Sequence, residues 1–426
     1  MKKTEYFTPQ SSDHVGYTEN CDNNDGRSEN GEFDYEYEDD DTCTPLELEK
    51  LFTHKYKIHD EPGVAFDSSY VLSLAKDDSF TCVAAGLSDG SVRMFQTGSE
   101  NGVYIRAPIS TKKNQALTIC GVRFLDETPN LLMVGTTNGL VRLLDLRTRN
   151  EVIRFENVPV DTNFPSDILS FDRNSNGRLL SMGTTKRQEH VFILFYDLRT
   201  SNQLFKYTES HEDDITSLRF HPNKPDFLCS GSIDGLINIF DIKANSEEDA
   251  ILSIMNTESS VQKINWHTNN KGHDVVSCIT DTNDFKAYEF DGDLIADFDR
   301  LKITEIIKRQ NEANCNLIDC HRTIDNDMML LTGSNLNNGS TLRSCTLTNG
   351  KLIPHTNFEG NTQIVRESIY DAKTNIFITA GERGFVTIWT PLTWNETKTS
   401  SPTIDSSPSG SSKIKSQPKS NKFTPY

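Results

Sequence analysis

The sequence predicts an all-β fold, a seven-bladed β-propeller with disordered N- and C-terminal arms. Three observations predict it: a strand–turn–strand unit returning at near-constant spacing, period-two apolar patterning with little helix from residue 51 to 392, and two terminal segments too polar to join a core. Each unit is a short apolar run, a turn of Asp-Gly type, and an alternating apolar run ending in an aromatic or aliphatic residue and often Asp. The turns fall at Asp89-Gly90, Asn138-Gly139, near Glu189, Asp234-Gly235, at Asp284, Asn338-Gly339 and Arg383-Gly384, so successive spacings run from 45 to 54 residues. A repeat of about 40–50 residues built from strands is the signature of a propeller. A propeller is a binding platform in the first instance, and its fold alone names no ligand.

The elements follow in chain order. Residues 1–50 carry fifteen Asp and Glu against four Lys and Arg, so 11 of the 19 excess negative charges of the chain sit there. With Glu36–Asp41 as its densest run and few branched aliphatics, this arm cannot offset the entropy of ordering and is expected to be disordered. Next, Phe52, His54, Tyr56 and Ile58 alternate with polar residues, which describes a half-buried strand standing alone before the first full unit. Such a strand is expected to close the ring by pairing as the outermost strand of the unit that contains Trp389, since an unclosed ring leaves two open edges.

The first unit uses Tyr70–Leu74, Cys82–Gly86 and Val92–Phe95; the second Gly121–Phe124, Leu131–Gly135 and Leu140–Asp145; the third Ile168–Phe171, Leu179–Gly183 and Val191–Asp197. The fourth, with Phe227–Ser232 and Leu236–Asp241, is the clearest. The fifth runs through Val261–Trp266, the sixth through Met328–Gly333, and the seventh from Asn375–Gly381 to Val386–Trp389. Residues 51–392 thus form one domain, and the Ser-, Pro- and Lys-rich tail at 393–426 is expected to be disordered.

Composition narrows the function classes. A net charge of -19 disfavours nucleic-acid binding through the overall field, which needs a basic footprint. The N-terminus lacks the apolar stretch of a secretory signal, and no run of eighteen apolar residues exists, so no membrane role is expected. Nine cysteines scattered mostly through apolar strands suit reduced thiols, and an intracellular location, cytoplasmic or nuclear, is expected. Cys315, Cys320 and His321 lie within seven residues, but without a second Cys/His pair at finger spacing they do not read as a zinc site. Leu317 is expected to face one way along that strand and the two thiols the other. No phosphate loop, zinc-protease His pair or nucleophile elbow occurs. The expectation is a non-enzymatic protein with no cofactor and no metal.

From Phe52 to about Pro391 the chain resembles the WD40-repeat family. The run Asp234–Ile242, with Ser246–Leu252 and Asn256–Val261 after it, resembles the WD repeat-containing protein 89 family, as does Ile376–Trp389, where Arg383 replaces the usual turn Asp. The resemblance implies a propeller without catalytic activity. It also implies a structural relay in the fourth unit, a His before the first strand, a Ser on the second and an Asp in the turn, matched by His211, Ser230 and Asp234. The fourth member, a Trp, is Phe240 here, and Phe has no N–H to donate, so a three-membered relay is expected. Family members that dock ubiquitin-ligase adaptors end blades in Trp-Asp-x-Arg. Asp145-Leu146-Arg147, Asp197-Leu198-Arg199 and Asp241-Ile242-Lys243 resemble that ending without the Trp, making Arg147, Arg199 and Lys243 candidate partner-binding residues. The resulting expectation is a monomeric scaffold for protein partners, with a cullin-RING substrate receptor as the alternative.

Overall fold

The computed structural model describes residues 40–63, 69–96, 106–109, 118–125, 130–159 and 161–392. Within them, five antiparallel four-stranded sheets follow one another along the chain. Blade one comprises Val71–Lys76, Cys82–Leu87, Val92–Gln96 and Arg106–Ile109; blade two Ile119–Phe124, Leu131–Thr136, Leu140–Asp145 and Asn150–Glu156; blade three Ile168–Arg173, Leu179–Thr184, Ile193–Asp197 and Gln203–Tyr207. Blade four comprises Ile215–Phe220, Phe227–Ser232, Leu236–Asp241 and Ile251–Asn256, and blade five Val261–Thr268, Asp274–Thr280, Phe285–Glu289 and Leu294–Phe298.

The remaining strands do not form the two further separate blades that seven equal units require. They make one eight-stranded sheet in the order Cys315–Arg322, Met328–Ser334, Leu342–Thr348, Lys351–Glu359, His54–Asp60, Val386–Pro391, Ile376–Gly381, Val365–Asp371. The expectation of seven blades is therefore corrected to five blades and a closing sheet. The cause is the N-terminal strand, which uses both of its backbone edges. Antiparallel pairing sets Ile58 opposite Trp389, and parallel pairing sets His54 opposite Thr356 and Lys57 opposite Glu359. His54–Asp60 does pair with the Trp389 strand as expected, yet it is an interior strand and not an edge.

The acidic arm needs correction as well. Residues 1–39 and 393–426 lie outside the described residues, but residues 40–50, expected to be disordered, are folded. Pro45–Leu51 is a helix held by a capping box: Thr44 Oγ1 accepts from the Glu47 amide, and the Glu47 carboxylate accepts from the Thr44 amide. The chain then buries Phe52 beside Ile303, Ile307 and Phe285.

Elsewhere the alternating pattern does what period two requires. In blade four Leu228 sits opposite Phe240 and Ser230 opposite Asn238, with Leu228, Ile237, Ile239 and Phe240 buried. The glycine that recurs late in the second strand has a packing reason. A Cβ built on Gly231 would lie 2.4 Å from Val261 Cγ1, so only glycine lets the first strand of blade five approach. The turn glycines Gly90, Gly139, Gly235 and Gly384 all have positive φ, the conformation that glycine adopts without steric cost.

Candidate functional site

A β-bulge recurs in the first strand of every blade and in both end strands of the closing sheet, between Val71 and Ser73, Ile119 and Gly121, Ile168 and Ser170, Ile215 and Ser217, Val261 and Lys263, Leu317 and Asp319, and Val365 and Glu367. These strands line a cavity of about 810 Å³. Because the bulge holds the same register around the ring, the residues one and three positions past it become equivalent. Lys263, Asp319 and Glu367 stand at the first of these positions, and Arg123, Asp172, Arg219, Asn265 and His321 at the second.

The charges of the cavity are interlocked. Lys263 Nζ lies 3.4 Å from Asp319 and 3.1 Å from Glu367. Burial alone would lower the Lys263 pKa, but those two carboxylates outweigh it and raise it. Asp319 shows the converse: burial acts to raise its pKa, and Lys263 and its other partners hold it below the ordinary range. Asn265 Nδ2 donates to Asp319 at 2.6 Å. On the other wall Arg123 Nε lies 3.4 Å from Asp172, whose second oxygen accepts from the Phe220 amide at 2.8 Å. His321, held below its usual range by burial, contacts Ser368 Oγ at 2.7 Å.

The residues of the blade-four relay come together. His211 Nδ1 donates to Asp234 at 3.0 Å, since a carboxylate can only accept, and Nε2 meets Ser230 Oγ at 2.6 Å. Asp234 also accepts from the amides of Glu212 and Leu236. Burial acts to raise the Asp234 pKa, but the His211 hydrogen bond and the two amides bring it below its usual value. The relay is not limited to three members: Asn238 reaches within 3.4 Å of His211 Nε2 and donates to the Ser210 carbonyl at 2.7 Å. With Ser230 fully buried, the arrangement offers no hydroxyl to a substrate.

Arg147, Arg199 and Lys243 occupy equivalent loops after the third strands of blades two, three and four. Each loop bonds back to the loop after the first strand, through Leu146 to Asn130, Leu198 to Arg178 and Ile242 to Asp226. Arg147 pairs with Asp145 at 2.9 Å and Arg199 with Asp197 at 2.8 Å, and these bonds hold both carboxyls down to about 2. Lys243 turns instead to Asp226 at 2.6 Å. All three side chains are exposed, about 70% in each case.

The sequence reading missed three connections. Asp40 lies 3.1 Å from Arg309, and Asp41 binds Arg343 through both terminal nitrogens at 2.8 and 2.7 Å, with Arg309 a further 3.3 Å away. Both arginines are buried, at 6% and 4% exposure, and Arg343 also packs over Phe52. Glu247, in the run that carried the family resemblance, accepts from the amides of Thr208 and Glu209 and so ties blade four to blade three. His221 Nδ1 accepts from two backbone amides, which leaves Nε2 to donate to Asp274 across the junction of blades four and five at 3.1 Å. The His221–Asp274 pair had a visible signal, a second His just past a first strand. The Asp40–Asp41 contacts had none.

Eight of the nine cysteines fall among the described residues, all as free thiols, and Cys21 lies outside. Cys315, Leu317 and Cys320 share one apolar cluster, correcting the expectation that Leu317 faces away from the thiols. The bulge between Leu317 and Asp319 shifts the parity of the strand. Among the described residues no group of three or more His, Cys, Asp or Glu is placed to hold a metal, and no helix is long and apolar enough to cross a membrane.

This repeated bulge-and-turn architecture is that of a β-propeller, and its His–Ser–Asp relay resembles that of WD-repeat proteins. The family described as Nucleolar protein 10-like, N-terminal domain, a β-propeller, matches residues 95–288. WD repeat-containing protein GTS1 of Arabidopsis thaliana is 25% identical, covering 66% of this chain and 68% of that protein. An uncharacterized WD repeat-containing protein of Saccharomyces cerevisiae is 28% identical, covering 71% and 74%. The WD repeat-containing protein 89 homolog of Dictyostelium discoideum is 22% identical, covering 79% and 87%. These relatives bear out the resemblance to WD-repeat proteins read from the sequence. A chain from the crystal structure of the mitotic checkpoint complex superposes with a TM-score of 0.58 at 15% identity, over 78% of this chain and 93% of that one, and supports the fold.

Proposed function

We propose that this WD-repeat propeller is a non-enzymatic scaffold that binds protein partners through its loops. The observation that carries the reading is the contrast between a relay sealed in the interior, with Ser230 fully buried, and charged loop residues that stand exposed on three consecutive blades. Loops on a rigid frame suit recognition, because the frame fixes their geometry and leaves their side chains to the partner. In this reading Arg147, Arg199 and Lys243 are the contact residues, the arms at 1–39 and 393–426 are solubilising segments, and the resemblance to a nucleolar-type domain favours a nuclear location. Docking of a ubiquitin-ligase adaptor is the narrower version. It is weakened by the in-loop pairing of Arg147 and Arg199, which a partner would have to displace.

The test is affinity purification with mass spectrometry on the wild type and on a chain with Arg147→Glu, Arg199→Glu and Lys243→Glu combined. The scaffold reading expects protein partners lost from the variant at equal expression and folding. A cullin adaptor among them would select the narrower version. An unchanged partner set would move binding away from these loops.

A further inference from the structure

The cavity wall made by blades two to four holds more cations than its own carboxylates can neutralise. Arg123, Arg173 and Arg219 all line it, and among the described residues Asp172 is the one carboxylate paired with any of them, through Arg123. Arg173 instead donates to the carbonyls of Phe124 and Asn174 at 2.9 and 3.3 Å. Arg219 donates to the Leu218 carbonyl at 3.1 Å. Two of three guanidinium groups thus spend their hydrogen bonds on backbone and, among the described residues, make no direct ion pair, although Asp172, Asp319 and Glu367 act on Arg219 from a distance. Burial, with the neighbouring Arg123 adding repulsion, brings the Arg219 pKa down to about 10 against the opposing pull of Asp172, Asp319 and Glu367, so the arginine remains charged at neutral pH. On the opposite wall, by contrast, Lys263 bridges Asp319 and Glu367.

We propose that this wall is a binding site for a small oxyanion ligand carrying several negative charges, a polyphosphate or a polycarboxylate, held by Arg173 and Arg219 with Arg123 in support. The planar fork of arginine matches phosphate and carboxylate oxygens in pairs. A cavity of about 810 Å³ has room for such a ligand, and it falls in the range of about 300–1,000 Å³ common for small-molecule sites. Asp319 and Glu367 repel an anion from the part of the cavity that they line with Lys263, which favours the side of Arg123 and Arg173. This site is independent of the exposed loop cations that the scaffold reading uses.

Calorimetric titration of the full chain with tripolyphosphate and, separately, with citrate tests the proposal. Saturable binding at one ligand per chain is expected, with the tighter of the two anions naming the phosphate or carboxylate class. Arg219→Gln and Arg173→Gln should each weaken it at least tenfold, a loss of about 1.4 kcal/mol. Arg219→Lys, which keeps the charge and loses the fork, should fall between, and Arg383→Gln, on an exposed turn outside the cavity lining, should bind like the wild type. Melting curves of the ligand-free variants establish that each is folded. No saturable binding of either anion at millimolar concentration, or undiminished binding by folded Arg219→Gln and Arg173→Gln, overturns the site.

Discussion

Blade four and the closing sheet solve the same problem, holding neighbouring β-sheets in one ring, by opposite means. In blade four a local polar network does it: His211, Ser230, Asp234 and Asn238 are drawn from one short stretch of chain. In the closing sheet Thr379, Arg383 and Thr387 stand where Ser230, Asp234 and Asn238 stand in blade four, and there the Trp389 indole donates to Thr379 at 2.8 Å and Gln363 donates to Thr387 at 3.2 Å. Its stability is instead lent by a segment about 300 residues distant, through the His54–Asp60 strand and the Asp40–Asp41 contacts with Arg309 and Arg343. The difference teaches that a repeat protein can concentrate its long-range constraint in one seam and leave the other blades to local chemistry.

Substitutions that strike one region and spare the other break or sharpen this comparison. The largest effect is expected for Asp41→Ala. It leaves Arg343 and Arg309 buried beside a lost partner, and breaking a buried pair on one side costs about 3–5 kcal/mol. Chemical denaturation of the purified variant measures it. Asp234→Ala removes the acceptor for His211 and two amides, and a buried donor left unsatisfied costs about 1–3 kcal/mol. The Asp234 contribution also has a pH signature. Its pKa is depressed on folding, so this stability is complete above the ordinary carboxylate value of about 3.9 and is lost as pH falls through the lower folded value. A melting curve of wild type against Asp234→Ala should therefore converge only at acid pH.

Gly231→Ala tests blade packing apart from either network. Its methyl group meets Val261, and overpacking of this kind costs about 1–3 kcal/mol. Its lower end is favoured if blade five can shift. The smallest effect belongs to Arg383→Ala, at the turn position matching Asp234. Arg383 is exposed, donates to the Thr362 carbonyl at 3.0 Å and lies over the Phe385 ring at 5.5 Å, so a change within about 0.5 kcal/mol is expected. Equal losses for Asp234→Ala and Arg383→Ala would show that the relay adds nothing special to blade four.

These contrasts also explain what the sequence disclosed. Strands and turns were legible because their signals are local: Asp234-Gly235 and the alternation of Leu236–Asp241 mark a hairpin without reference to any other residue. The His211 relay was legible for the same reason. Asn238 carries no such local signal, because only the pairing of the second and third strands sets it opposite Ser230. Asp40 and Asp41 end an acidic run, and composition carries no trace of the two buried arginines so far along the chain that bind them. The seven equal units dissolved into five blades and one wide sheet because a single strand can pair on both edges, and periodicity does not record which edges are used. Alternation alone already sets Leu317 on the face of Cys315, two residues away; the side of Cys320 depends on a bulge that alternation does not foresee.

Backbone hydrogen exchange over His54–Asp60 in the wild-type chain tests the central claim most directly, because exchange rates report how firmly each strand is held. If this strand closes the ring as an interior member of the wide sheet, its amides should exchange as slowly as those of Val386–Pro391. The two should also accelerate together in Asp41→Ala, while blade four keeps its protection. Rapid exchange of residues 54–60 in the wild type, at the rate of a fraying terminus and with Val386–Pro391 still protected, would contradict it.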